Sequence, residues 1–81
     1  MDAIDSIVEQ LVQAERKRQD EKRGQQTHTY TQWKSIFEEE FAELHCKVVC
    51  DYPQKEQKRE LVQCAAVLYA WIRDVILKEV G

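Results

Sequence analysis

The chain has 81 residues, with a single proline, two glycines, 33% charged residues and a formal net charge of −3. That length makes one small domain, residues 1–81, and the scarcity of turn-forming residues argues against a many-stranded fold and for an all-α one. The acidic balance argues against a general nucleic-acid surface, and no apolar run approaches the ~20 residues of a membrane span. The N-terminus lacks a basic stretch leading into an apolar one, and the three cysteines are an odd number. The expectation is a cytoplasmic protein in a reducing compartment, with neither nucleic acid nor membrane as a partner.

The predicted elements follow in order. A first helix over about residues 2 to 21 carries Ile4, Ile7, Val8, Leu11 and Val12 on one face, and Gly24 ends that segment beside a cluster of cations. Residues 25–30 form a polar loop in which His28 reads as an exposed side chain able to approach a phosphate, and Thr29 or Thr31 caps the next helix. That second helix runs to about Cys50, where Asp51-Tyr52-Pro53 breaks it. A third starts near Gln54 and continues to about Val80. On it Leu61, Ala65, Leu68, Ile72 and Val75 form one apolar stripe, while Val67 and Trp71 widen the apolar surface toward the side of Glu60. Two neighbours within the chain cannot cover that width. A chain this short buries only about 60% of its unfolded surface, so the expected architecture is a bundle of about three helices completed by oligomerisation, as a homodimer or homotetramer.

The second helix carries a conflict that points to chemistry. Trp33, Ile36, Phe37, Leu44 and Val48 fall on one side, yet Glu40 points along the centre of that side with Glu43 at its edge. Burying a lone carboxylate is expensive unless it is neutralised, paired or bound to a cation. Glu60 and Gln63, one turn apart on the third helix, supply a second oxygen pair. Antiparallel packing would make the pairs converge, and hard oxygen ligands without histidine or thiolate suit Mg²⁺, with Mn²⁺ as the alternative. Cys46 and Cys50 with His45 do not match the common tetrahedral zinc spacings, and Cys64 reads as a small buried hydrophobe.

Glu39-Glu40-Phe41-Ala42-Glu43 followed by Glu60-Leu61-Val62-Gln63 resembles the Glu-Glu-x-x-Glu and Glu-x-x-Asp signature of the all-α, MazG-like nucleoside triphosphate pyrophosphohydrolases. The first half matches residue for residue, whereas Gln63 stands where the family usually has an aspartate. Residues 15–24, Glu15 to Gly24, and residues 60–67, Glu60 to Val67, look like small phage-type or mobile-element members, and the likeness covers most of residues 15 to 74. It implies hydrolysis of an NTP or dNTP to the monophosphate and pyrophosphate, in nucleotide-pool housekeeping, at sites near subunit interfaces. Glu40, Glu43 and Glu60 are the expected metal ligands, with Gln63 able to ligate only through its neutral carbonyl oxygen. Glu39 is expected to hold a second ion or orient the attacking water. Arg16, Arg18, Lys22, Arg23 and Lys47 are candidates to counter phosphate charge, the first two by resemblance. Trp33 and Trp71 read first as core residues and second as stacking platforms for a base. The alternatives are a helical oligomeric interaction module, in which the acidic run is a solvated face, and a MazG-like protein whose site has decayed.

Overall fold

The computed structural model describes residues 3–24 and 26–81, with Arg23 described along its main chain. Three helices, α1 (Ala3–Arg23), α2 (Tyr30–Val49) and α3 (Gln54–Val80), account for nearly all of it. Local chemistry sets each boundary. Gly24 takes a φ of 75°, a left-handed conformation that glycine adopts without a Cβ penalty, and its N–H closes on the Asp20 carbonyl at 2.7 Å. Thr29 caps α2 through a reciprocal pair: its hydroxyl accepts the Gln32 N–H at 3.2 Å, and its own N–H donates to the Gln32 side chain at 2.9 Å. At the far end Asp51, at a φ of 56°, turns the chain sharply before Pro53, whose fixed φ opens α3. The helices thus fall where the sequence places them, with α1 reaching two residues further.

The long α3 packs against both other helices, while α1 and α2 make no close contact with each other among the described residues. Trp33 meets Trp71 near the start of α2, and Lys47 meets Glu56 and Glu60 near its end, so α2 runs antiparallel to α3. Leu11 shares a groove with Val62 and Arg16 lies over the Tyr69 ring, so α1 runs in the same sense as α3.

The inward face of α3 differs from its most apolar stripe. Cys64, Ala66 and Val67 are buried together with two carboxylates, Glu60 and Asp74, whereas Leu61, Leu68, Ile72 and Val75 are exposed. Of the α1 stripe, Ile4, Ile7, Val8 and Leu11 are also exposed. The chain presents 6132 Å² of accessible surface. A compact monomer of 9.6 kDa would present about 5,100 Å².

Asp74 ties the parts together. At 4% exposure, it accepts the Trp33 indole N–H at 2.8 Å and the His28 main-chain N–H at 3.1 Å on one oxygen, and the Thr27 hydroxyl at 2.8 Å on the other. Lys78, one turn on, stands 3.1 Å away and also donates to the His28 carbonyl. The Trp33 hydrogen bond, followed by that of the His28 N–H, holds the Asp74 carboxyl well below the usual carboxylate range. Asp74→Asn, which turns an acceptor into a donor facing these N–H groups, should lower the melting temperature by roughly 5–10 °C. Thermal circular dichroism measures this, and an unchanged midpoint would mean that Asp74 does not anchor the loop and α2 to α3.

Candidate metal centre

Glu40 and Glu43 lie one turn apart on α2, and antiparallel packing brings Glu60 of α3 to them. One carboxylate oxygen from each lies within 4.8 Å of the other two. No other such grouping of His, Cys, Asp or Glu occurs among the described residues. Their environments are graded: Glu60 is 6% exposed, Glu40 is half-buried and Glu43 is open to solvent.

Electrostatics makes the cluster demanding. Burial pushes the Glu60 carboxyl up, and the neighbouring charge of Glu43 adds to the rise, through a hydrogen bond as well as through space. Lys47 opposes the shift. Its ammonium lies 3.9 Å from Glu60 and 3.5 Å from Glu56, over the Tyr52 ring at 4.7 Å. Behind the carboxylates, burial pushes the Cys64 thiol up, and Glu40, Glu60 and Glu43 push it further, so the sulfur stays protonated. A hard divalent cation fits this donor set, since it would offset the crowding of carboxylates that raises Glu60.

Between α1 and α2, with α3 as its floor, runs a narrow cleft lined by Arg16, Arg18, Lys22, Trp33 and Glu40, among others. Arg16 is buried, bonded to Asp20 at 3.0 Å, and its Nε has no partner among the described residues. Arg18 grips Glu15 through two bonds of 3.0 and 2.6 Å, which draw the Glu15 carboxyl down. The charge of Glu40 also acts on Arg18. The cleft holds about 50 Å³, well short of the ~300 Å³ at which small-molecule pockets begin.

Of the sequence candidates, then, the structure brings Glu40, Glu43 and Glu60 together and sets Arg16, Arg18 and Lys22 beside Glu40. Glu39 is exposed and outside the cluster. Gln63 is half-buried on α3, one turn from Glu60. Lys47 is an ion-pair partner of the carboxylates instead of a lining residue of the cleft. The side chain of Arg23 lies outside the described residues. Trp33 is a core residue, stacked 6.3 Å from Trp71 at 9°, with Tyr30 edge-on to Trp71 at 5.7 Å. His28 departs from its expected exposure: it is half-buried, edge-on to Trp33 at 4.7 Å, because the Asp74 hydrogen bonds pull the loop inward. Cys46 and Cys50 are exposed free thiols and Cys64 is buried. Asp74 is the residue that sequence reasoning missed. Comparison with family models, curated proteins and solved structures finds no match to this chain.

Two carboxylates set opposite slopes of stability against pH. Glu60 has a folded pKa raised above its unfolded value of about 4.3, so without a cation the fold loses stability as pH rises through the folded pKa. Asp74 has a depressed one, so its contribution is complete above about 3.9 and is lost as pH falls below that. Melting in chelator should therefore be highest in the mildly acidic range and fall on both sides, and Glu60→Gln should flatten the alkaline limb alone. A Glu60→Gln profile of wild-type shape would show that Glu60 titrates as an ordinary surface group.

Proposed function

We propose that this chain is a metal-dependent nucleoside triphosphate pyrophosphohydrolase of MazG-like type, acting as a homo-oligomer on NTPs or dNTPs. The observation that carries the reading is the adjacency of two features: three carboxylates converging from two helices, and a cleft with three cationic side chains that shares Glu40 with them. A triphosphate is a polyanion, so carboxylates have no use for it without a cation; on the other wall Arg16 and Arg18 are held by Asp20 and Glu15, and a phosphate would add to or displace those pairs.

In this reading Glu40, Glu43 and Glu60 would hold Mg²⁺ or Mn²⁺, with Gln63 offering a neutral oxygen, and an ion held there would supply neutralisation of phosphate charge and a more acidic water. Arg16, Arg18 and Lys22 take the phosphate oxygens; the unpartnered Arg16 Nε is a donor waiting for an acceptor, and unsatisfied buried donors are costly. Water adds to phosphorus, the anhydride bond between the α- and β-phosphates breaks, and the bridging oxygen leaves with pyrophosphate. Glu39, exposed and next to Glu40 in sequence, has the role of orienting that water or holding a second ion. The base and sugar find no room in the ~50 Å³ cleft, so their recognition falls to the rim or to a second copy. The roughly 1,000 Å² of surface in excess of a compact monomer supports assembly, since a standard interface takes about 800 Å² from each partner.

The same excess favours a second reading, a helical interaction module. Mg²⁺ separates the two, because a ligand that binds only the folded state raises the midpoint, by about 2.7 kcal/mol of stability at a hundredfold excess over Kd. A module would show no such shift.

Pyrophosphate release from a panel of nucleoside triphosphates with Mg²⁺ and Mn²⁺ tests the activity. Glu40→Gln, Glu43→Gln and Glu60→Gln should each cut it by at least about a hundredfold, with melting temperatures equal or higher in chelator because like-charge repulsion is relieved. Unchanged turnover in all three would sink the site. Gln63→Asp should tighten Mg²⁺ about tenfold, the effect of a 1.4 kcal/mol gain from replacing a neutral oxygen by an anionic one. Equal affinities in an Mg²⁺ titration would place Gln63 away from the ion.

A further inference from the structure

The outer face of α3 carries a regular spacing. Leu61, Ala65, Leu68, Ile72 and Val75 follow one another at intervals of four, three, four and three residues, and Lys58 and Glu79 extend the same rhythm by one step at either end. A repeat of 3.5 residues keeps apolar side chains along one seam of a helix that winds about another helix. α3 buries Glu60, Val67 and Asp74 toward the body of the chain, and at about 100° per residue the seam lies on the far side. There Leu61, Leu68, Ile72 and Val75 are between 39% and 60% exposed. Ile72 also lines an open depression of about 500 Å³ with Tyr69, Arg73, Ile76 and Leu77.

The seam ends in opposite charges. Lys58 precedes Leu61 by one turn and Glu79 follows Val75 by one turn, both are exposed, and neither has an ion-pair partner among the described residues. The matching occupant is therefore a helix that is apolar over about 21 Å, with an acid to set beside Lys58 and a base to set beside Glu79. α3 itself, run in reverse, has that pattern. A parallel copy would set Lys58 against Lys58 and Glu79 against Glu79.

We propose that α3 of a second copy packs antiparallel along this seam, about a two-fold axis level with Ala70. Leu68 then faces Ile72 of the partner and Ala65 faces Val75 of the partner, each pair occurring twice. Lys58 comes within one turn, about 4.5 Å along the axis, of Glu79 of the partner, a gap that its long side chain spans. Because a two-fold axis pairs a surface with itself, one seam per chain closes the assembly. The inference rests on the homo-oligomer proposed above and names its surface. The roughly 1,000 Å² in excess of a compact monomer covers the ~800 Å² that each partner gives to a standard interface.

The dimer dissociation constant, measured by analytical ultracentrifugation with circular dichroism as the check on folding, decides it. Leu68→Glu/Ile72→Glu should weaken association by at least about a hundredfold, since carboxylates of both chains would then meet at the centre of the seam. Both side chains are exposed in the single chain, so its helicity should be unchanged. At low salt Lys58→Glu and Glu79→Lys should each weaken association about tenfold, and the Lys58→Glu/Glu79→Lys double variant should return to within about twofold of the wild type. A Leu68→Glu/Ile72→Glu variant that dimerises as the wild type overturns the seam while leaving assembly intact, and a double charge variant no tighter than the singles overturns the antiparallel pairing. A wild type that is monomeric at hundreds of micromolar overturns both this interface and the assembly proposed above. A dimer that meets these expectations yet releases no pyrophosphate from any triphosphate upholds the interface and sinks the enzymatic reading instead.

Discussion

The buried carboxylate of Asp74 is the constraint on which the remaining geometry depends. It collects donors from the loop before α2, from Trp33 inside α2 and from Lys78 on its own helix, and so fixes both the position of α2 along α3 and its rotation about its axis. Fourteen residues after Trp33 comes Lys47, and fourteen before Asp74 comes Glu60; those two also pair, at 3.9 Å. Fourteen residues are two heptads, about 21 Å of helix, after which a side chain returns to nearly the same face. Two polar clamps at matching intervals set a register that the few buried apolar side chains would leave loose. Glu40 and Glu43 fall between the clamps, level with Val67 and Cys64 in that register, and their carboxylates reach along α3 to that of Glu60.

The arrangement is poor in conventional core. Among the described residues Trp33, Cys64, Ala66 and Val67 are the buried apolar ones, and three charged residues, Arg16, Glu60 and Asp74, are buried as well. Each charge is held differently. Asp74 is satisfied by donors and stays ionised; Arg16 is half satisfied, by Asp20 and the Tyr69 ring; Glu60 faces other carboxylates and is driven toward its neutral form. On the proposed reading a cation would relieve the crowding at Glu60, and an anion would meet the Arg16 Nε that has no partner among the described residues.

Much of this was legible in the sequence. The helix boundaries depend on neighbours a few residues away, Gly24, the Thr29 and Gln32 pair and Pro53, so local chemistry was enough to find them. The carboxylate cluster was legible because acids at Glu40 and Glu43 interrupt an apolar face, a local signal with a non-local cause. Asp74 sends the same signal from Ile72-Arg73-Asp74-Val75-Ile76, but a single acid with Lys78 one turn on reads as an ordinary i,i+4 pair, and only its spacing from Glu60 hints at more. The inward face of α3 was misjudged for a different reason. Choosing the face by apolarity gives Leu61, Leu68, Ile72 and Val75, whereas α3 is turned by its carboxylates, with Glu60 and Asp74 buried and those four side chains exposed.

That division of labour bears on how the proposed site would select a substrate. Within one chain the cleft admits phosphate oxygens and little else, since Trp33 and Trp71, the rings best able to stack on a base, are spent on each other and on Asp74. Phosphate contacts and the carboxylate cluster are blind to base and sugar. Discrimination then requires surface that a single chain does not supply, and α1 and α3, which help to form the cleft, also carry the exposed apolar strips. On the proposed reading, assembly and specificity are one problem: whatever covers those strips also builds the wall against which the nucleoside is judged.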